Sequence, residues 1–408
     1  MSRIANTSLI AKRNVADLRA NRLGYWIQPQ AIGSTSGWKT IGAMVTATPA
    51  KKPSSRIPSL DGLRALSIGM VLFAHCSGTR FFPSFVFARR ELGNLGVRVF
   101  FVISGYLITT LLLNEMEETG RISLKWFYIR RALRIFPAAY VYIAVMFLLT
   151  AGGWLSLNTG DFLHAITYTV NYQEVRPWYT IHLWSLSVEE QFYFLWPATL
   201  LFAGRRRGMQ IAASMMVIAP LLRILTPIVF PSLEWSTGAS FQTNADALAA
   251  GCVLAGIRQW LASKSVYLAF QKSYAFLLVP SVIVLAVAFP SMPGKFPVLN
   301  TAIALIVDRS IRFEFDWVGK ILNWKPVAFA GVLSYSTYLW QEPFLNRLSN
   351  SPLCWFPINI AMLSAAALGS YYLVERPFLN LRKRVERQYA PTARSLKKDT
   401  PEALPTSA

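Results

Sequence analysis

Charge is scarce in these 408 residues, at 15% Asp, Glu, Lys and Arg, and acidic charge is scarcest, with 20 carboxylates against 41 basic side chains. A chain so poor in charge lacks the composition of an ordinary string of soluble domains. Cysteine and histidine are rarer still, three of each. Cys76, Cys252 and Cys354 are widely spaced within apolar segments and form no CxxC pair. That argues against a disulfide framework or a cysteine metal site and leaves three small buried hydrophobes. No secretory signal peptide is visible. Nor is there an internal repeat strong enough to argue for an inverted-repeat transporter.

Apolar residues fill the composition instead. They make up 53% of the chain, with thirteen tryptophans and sixteen tyrosines and a mean hydropathy of +0.36. Amphipathic aromatics gather at membrane interfaces, so the expected fold is an all-α polytopic membrane bundle. The net charge of +21 does not point to nucleic acid, because the basic excess lies in the tails and in alternate loops between apolar spans.

Ten segments reach spanning length, at about 62–79, 95–113, 137–154, 184–203, 209–231, 244–261, 274–290, 296–313, 327–347 and 353–374. The even loops carry Arg121, Lys125, Arg130, Arg131 and Arg134, then Arg205–Arg207, Lys264 and Lys272, and Lys320 and Lys325. The odd loops are poorer in positive charge, except the first with Arg80, Arg89 and Arg90. Both termini are therefore expected in the cytoplasm. Residues 1–56 hold nine Lys/Arg against one acidic residue, Asp17. They read as a basic cytoplasmic arm, with a short interfacial helix over 8–27. Residues 57–380 form the transmembrane domain and 381–408 a basic to polar cytoplasmic tail, expected to be disordered downstream of Lys383.

Ionisable residues inside these spans mark functional candidates. In the first span Arg64 and His75 are eleven residues apart, which puts both on one helix face roughly 16 Å apart. Arg64 reads equally as a snorkelling anchor, and His75 as an interhelical hydrogen-bonded histidine. In WSLSVEEQFY, residues 184–193, Glu189 and Glu190 sit near the depth inferred for His75. Neighbouring helical residues point about 100° apart, so one of the two is expected to be merely hydrated. The third group combines Ser104, Gly105 and Tyr106 with the basic loop KWFYIRRALRIFP over 125–137. Arg131 and Arg134, three apart, can face one phosphate or pyrophosphate, although positive-inside anchoring also accounts for arginines there. Cations below with a histidine and a carboxylate above fit a soluble donor having a phosphate-bearing head and a long thin arm. Coenzyme A thioesters have that shape, so the chemistry suggested is acyl transfer across a membrane.

These motifs resemble those of the acyltransferase-3 family of integral membrane acyltransferases. LDGLRALSIGMVLFAH resembles its opening segment. GVRVFFVISGYLIT, FYIRRALRIFP, HLWSLSVEEQFYFLWP, ADALAAGCVLA, VLSYSTYLWQEPF and VERP resemble later segments in the same order, covering about 60–380. The resemblance implies an acyl-CoA-dependent O-acyltransferase of a bacterial cytoplasmic membrane, acting on a cell-surface or lipid-linked glycan such as a polysaccharide or lipopolysaccharide. Acetyl-CoA is the expected donor substrate. No tightly bound cofactor, metal or nucleic acid is expected. His75 is implied as the catalytic histidine with Glu189 as its functional carboxylate, and Arg64, Arg131 and Arg134 as the donor-site arginines. Ser104, Tyr106, Trp184, Glu190 and Tyr193 are the expected substrate-binding residues.

Two positions depart from the family pattern. Gln341 stands where many members have a histidine, so no second histidine is invoked there. Asn244 stands where many have an arginine, which leaves Asp246 without an assigned partner. The expected mechanism has His75 Nε2 taking the acceptor's proton while Glu189 orients the ring. A covalent acyl-histidine, or an acyl-serine on Ser104, is the alternative within this chemistry. The rival class is a transporter or flippase whose intramembrane ions form a substrate or proton path. With no soluble catalytic domain apparent after the spans, donor and acceptor steps are expected within one membrane unit.

Overall fold

The structure, a computed structural model, describes residues 57–289 and 294–389. The expected arm over 1–56, with its interfacial helix, and the chain beyond Tyr389 lie outside the described residues. Among the described residues every regular element is helical, which is how apolar segments satisfy their own backbone groups away from water.

The described residues open with α1 (Pro58–Cys76), whose first residue is a proline that costs no helical hydrogen bond at that position. Two long helices follow, α2 (Val86–Thr119) and α3 (Leu124–Ala151). The connection after them holds α4 (Thr159–Ile166) and α5 (Trp178–Ile181). An Asn158–Asp161 capping box starts α4, each side chain satisfying the other's backbone N–H. Next come α6 (Leu183–Val229), α7 (Phe241–Ala262), α8 (Ser265–Lys272), α9 (Leu278–Ala288) and α10 (Lys295–Arg312). The described chain closes with α11 (Trp317–Leu322), α12 (Lys325–Phe344), α13 (Ile358–Ser370) and α14 (Arg376–Tyr389). The helix through Tyr389 departs from the disordered end expected downstream of Lys383; an Arg382–Glu386 pair at 3.3 Å, one turn apart, accompanies it.

Four helical stretches among the described residues are long and apolar enough to cross a membrane: Arg90–Thr119, Leu124–Ala151, Trp178–Val229 and Ile358–Glu386. A bent pair, Ser265–Lys272 with Tyr274–Ala288, makes a fifth if counted as one span. The sequence led us to expect ten. Helix occupies all ten expected segments, but α1, α7, α10 and α12 carry inward ionisable groups such as Asp61, Asp246, Asp308 and Glu342, each under a tenth exposed. Those groups lower the hydropathy of helices whose polar side chains are satisfied inside the bundle. Two expected spans, 184–203 and 209–231, lie in the single element α6. It is broken at Gly204, whose φ of 74° and ψ of 171° suit only a residue without a Cβ.

Close crossings fix the bundle. Gly105 of α2 lies on the Leu248 backbone of α7 and Gly251 of α7 lies on the Val102 carbonyl, so a Cβ at either position would strike main chain. Register follows from side-chain pairs. Gly331 of α12 packs on Asp61 of α1, and further along both helices Gln341 meets His75; α1 and α12 therefore run parallel. Ser104 meets Glu189 and Thr109 meets Trp196, so α2 and the first half of α6 also run parallel.

The partner of Asp246 is now plain. Its fully buried carboxylate sits 3.4 Å from Arg98 of α2 and 3.4 Å from Arg223 of α6. Both guanidinium groups lie 4.0 Å from the Phe296 ring, and Arg98 also donates to Asn300 at 3.1 Å. This clamp ties α2, α6, α7 and α10 together. Asn244 turns instead to the Ser240 carbonyl.

Candidate active site

Polar residues inside the bundle collect at two levels. At the lower level the side chains of α1, α2, α3, α6 and α12 surround a cavity of about 750 Å³ of empty space, its mouth included. Arg64, Arg131 and Arg134 all line it. The three-residue spacing in α3 puts its two arginines on one face, and the packing of α1 adds the third. Arg64 lies 3.5 Å from Asp61, while the Arg131 guanidinium lies 5.6 Å from the Phe127 ring and 5.7 Å from the Tyr193 ring. Three cations converging on one cavity are suited to an anionic ligand of several charges.

Glu189 balances them. Ser104 donates to Glu189 Oε1 at 2.8 Å, and Tyr193 OH lies 3.2 Å from both Ser104 Oγ and Glu189 Oε2. Ser104 and Tyr193, two of the expected substrate-binding residues, therefore belong with Glu189 on the cavity wall. Tyr106 does not; it is 2% exposed and packs in the core. Trp184 stands edge-on to Phe101, with ring centroids 6.2 Å apart, and is not part of the cavity wall. Glu190 points round the helix into a separate cleft between α3 and α6, which it shares with Arg131, Tyr168 and Tyr193.

His75 occupies the upper level, and its neighbours correct the expected pairing. The carboxylate against it is Glu342, not Glu189. Gln341 Oε1 lies 3.0 Å from His75 Nδ1, and Glu342 Oε1 lies 3.6 Å from His75 Nε2. The Glu342 side chain is 1% exposed and that of His75 is 28% exposed, so the histidine is reachable and its carboxylate is not. Glu189 is lower for a geometric reason. His182, which heads α6, bonds the Leu339 carbonyl at 3.1 Å, and Glu189 follows it by seven residues, or roughly 10 Å of helix. Three turns of α1 separate the levels, from Arg64 to His75.

A short polar chain climbs from the lower level to His182. Tyr338 lines the lower cavity, shares a 2.6 Å hydrogen bond with Ser185, and donates to the His182 carbonyl at 2.9 Å. Glu342 is held from above through its main chain, which accepts from Trp178 Nε1 at 3.0 Å. Sequence reasoning passed over Glu342, Tyr338 and Ser185. The signal for Glu342 was present: a carboxylate in an apolar segment, toward the C-terminal end of its helix as His75 is of α1.

The sequence profile of the acyltransferase-3 family, described as an acyltransferase domain, matches residues 57–374, most of the chain. The chain belongs to the acyltransferase-3 family. Its relatives include the peptidoglycan O-acetyltransferase OatA of Listeria monocytogenes, 30% identical over 360 residues that cover 79% of this chain and 55% of the relative. The O-acetyltransferase OatA of Staphylococcus aureus is 29% identical over 357 residues, covering 79% of this chain and 57% of the relative. This member of the family thus spans little more than half the length of the curated relatives it matches. No solved structure matches it.

Proposed function

We propose that this chain is a multi-pass O-acyltransferase of a bacterial cytoplasmic membrane, moving an acetyl group from acetyl-CoA on the cytoplasmic side to a hydroxyl of a glycan on the outer side. The observation that carries the proposal is the two-level arrangement. Three arginines converge on the lower cavity, and a reachable histidine stands three turns away on the helix that supplies Arg64. A donor with phosphates at one end and a thioester at the other matches that division. The acetyl group and the glycan class rest on the names of the relatives, which are O-acetyltransferases and, in the Listeria protein, act on peptidoglycan. The basic even-numbered loops support ten spans with both termini inside.

In this reading Arg64, Arg131 and Arg134 bind the phosphates of the donor. The pantetheine arm follows the α1–α12 seam, bringing the thioester toward His75. As the acceptor oxygen attacks the thioester carbonyl, His75 Nε2 takes the hydroxyl proton. The carbon–sulfur bond then breaks, and the imidazolium returns the proton to the departing thiolate. Nε2 is the nitrogen assigned to this work because Gln341 engages Nδ1.

The test is transfer by purified protein in detergent, with radiolabelled acetyl-CoA and peptidoglycan fragments or lipid-linked sugars as acceptors. Label in the glycan, lost in His75→Ala, is the expected result. Activity seen only as uptake into sealed vesicles would place the chain among transporters.

A further inference from the structure

The carboxylate beside His75 has no task in the reading above. Glu342 is fully buried, and among the described residues no hydrogen bond reaches either of its carboxylate oxygens. A carboxyl group kept out of water without a donor is costly unless a cation or a shared proton compensates it. The His75 imidazole, able to do either, lies 3.6 Å away. The adjacent residue fixes the ring. Gln341 Oε1 meets Nδ1 at 3.0 Å, and the ring so held presents Nε2 to Glu342.

We propose that Glu342 is a positioning residue that makes His75 a stronger base, by stabilising the imidazolium formed when Nε2 accepts a proton. This rests on His75 being the base of the transfer reaction, and it adds the origin of that base's strength. No atom is gained or lost: the proton taken from the acceptor is held on Nε2 beside Glu342 until the departing thiolate receives it. The other groups that bear on the pair are few. Arg347, beyond the end of α12, interacts electrostatically with Glu342 and competes for it. Tyr142 of α3 and Tyr338 of α12 also feel the Glu342 charge. His182 feels His75, but its Nε2 is engaged by the Leu339 carbonyl.

The experiment follows His75 itself, so it does not depend on finding the acceptor. The detergent-solubilised protein is treated with diethylpyrocarbonate across a pH series, and carbethoxylation of His75 is read by peptide mass spectrometry. Only the neutral imidazole reacts, so the midpoint of the curve reports the proton affinity of the ring. Glu342→Gln keeps the shape and removes the charge. An opposite charge at this distance shifts such a midpoint by about 1–3 pH units, so the variant's midpoint should fall by about one unit or more. Below both midpoints its His75 should then react about tenfold faster or more. Arg347→Gln removes the competing cation and should move the midpoint upward; it serves as the test if Glu342→Gln fails to fold. An unchanged midpoint in a folded Glu342→Gln protein would overturn the proposal by showing that Glu342 is not the charge that His75 senses. Failure of the underlying reading has a different signature. His75→Ala would then still acylate the glycan, whatever the midpoints do.

Discussion

Gln341 and His75 face each other across the α1–α12 seam with 3.0 Å between amide oxygen and Nδ1. Two helices from opposite ends of the sequence therefore hold the ring between an amide on Nδ1 and a carboxylate near Nε2. A glutamine is well suited to this position. It fixes the tautomer without adding a second titrating group.

Removing the ring should abolish transfer. His75→Ala is expected to lose about 10²–10⁴-fold in kcat while still inserting and purifying like the parent protein. Label transfer to the acceptor, compared with the yield of monodisperse protein, separates lost chemistry from lost folding. Transfer at parental rates would remove His75 from the mechanism.

The arginines of α3 should act on donor binding. Each of Arg131→Ala and Arg134→Ala deletes a charge-assisted contact worth about 1.5–3 kcal/mol, or roughly a 10–100-fold rise in KM for acetyl-CoA, with a smaller change in kcat. Initial rates over a donor concentration series give both values. A donor KM equal to the parent's would assign these arginines to membrane anchoring.

Glu189 should not behave as the base. Glu189→Gln preserves the contacts to Ser104 and Tyr193 and removes a negative charge from the donor cavity. It should leave kcat within about tenfold of the parent, less than the loss of a general base produces, and should not weaken donor binding. A loss as deep as that of His75→Ala would restore Glu189 to the chemistry.

The Asp246 clamp should be a stability element. Asp246→Ala leaves Arg98 and Arg223 stacked on one ring with their shared counter-charge gone. Breaking a buried pair in this way costs about 3–5 kcal/mol, so thermal aggregation in detergent should start at a markedly lower temperature. Matching melting curves for parent and variant would contradict the clamp's role.

Much of this arrangement is legible before any fold is known. Apolar segment lengths locate the helices, and the eleven-residue interval between Arg64 and His75 puts both on one face of α1. The three-residue interval between Arg131 and Arg134 foreshadows their convergence, which the structure extends to Arg64. What the sequence withholds is axial register between distant helices. The depth of Glu189 was counted from the start of its span, as though all spans began in one plane. In fact His182 at the head of α6 is level with Leu339, which drops Glu189 to the arginines and leaves Glu342 beside the histidine. Span counting from hydropathy falters for a related reason, since Asp61, Asp246, Asp308 and Glu342 are polar in sequence but buried in the bundle.

The parallel pair α1 and α12 also works as a ruler. Arg64 and His75 share one rigid rod, and Tyr335 and Tyr338 on the other rod lead from the same cavity up to Gln341 and Glu342. For the donor proposed above, the interval between phosphates and reacting carbonyl would be graduated in helical turns and would not change from one acyl group to another. In the proposed reading, selection among acyl groups then falls beyond the last graduation. An insertion of one turn between Arg64 and His75 would lengthen the ruler by roughly 5 Å and should leave the proposed donor too short.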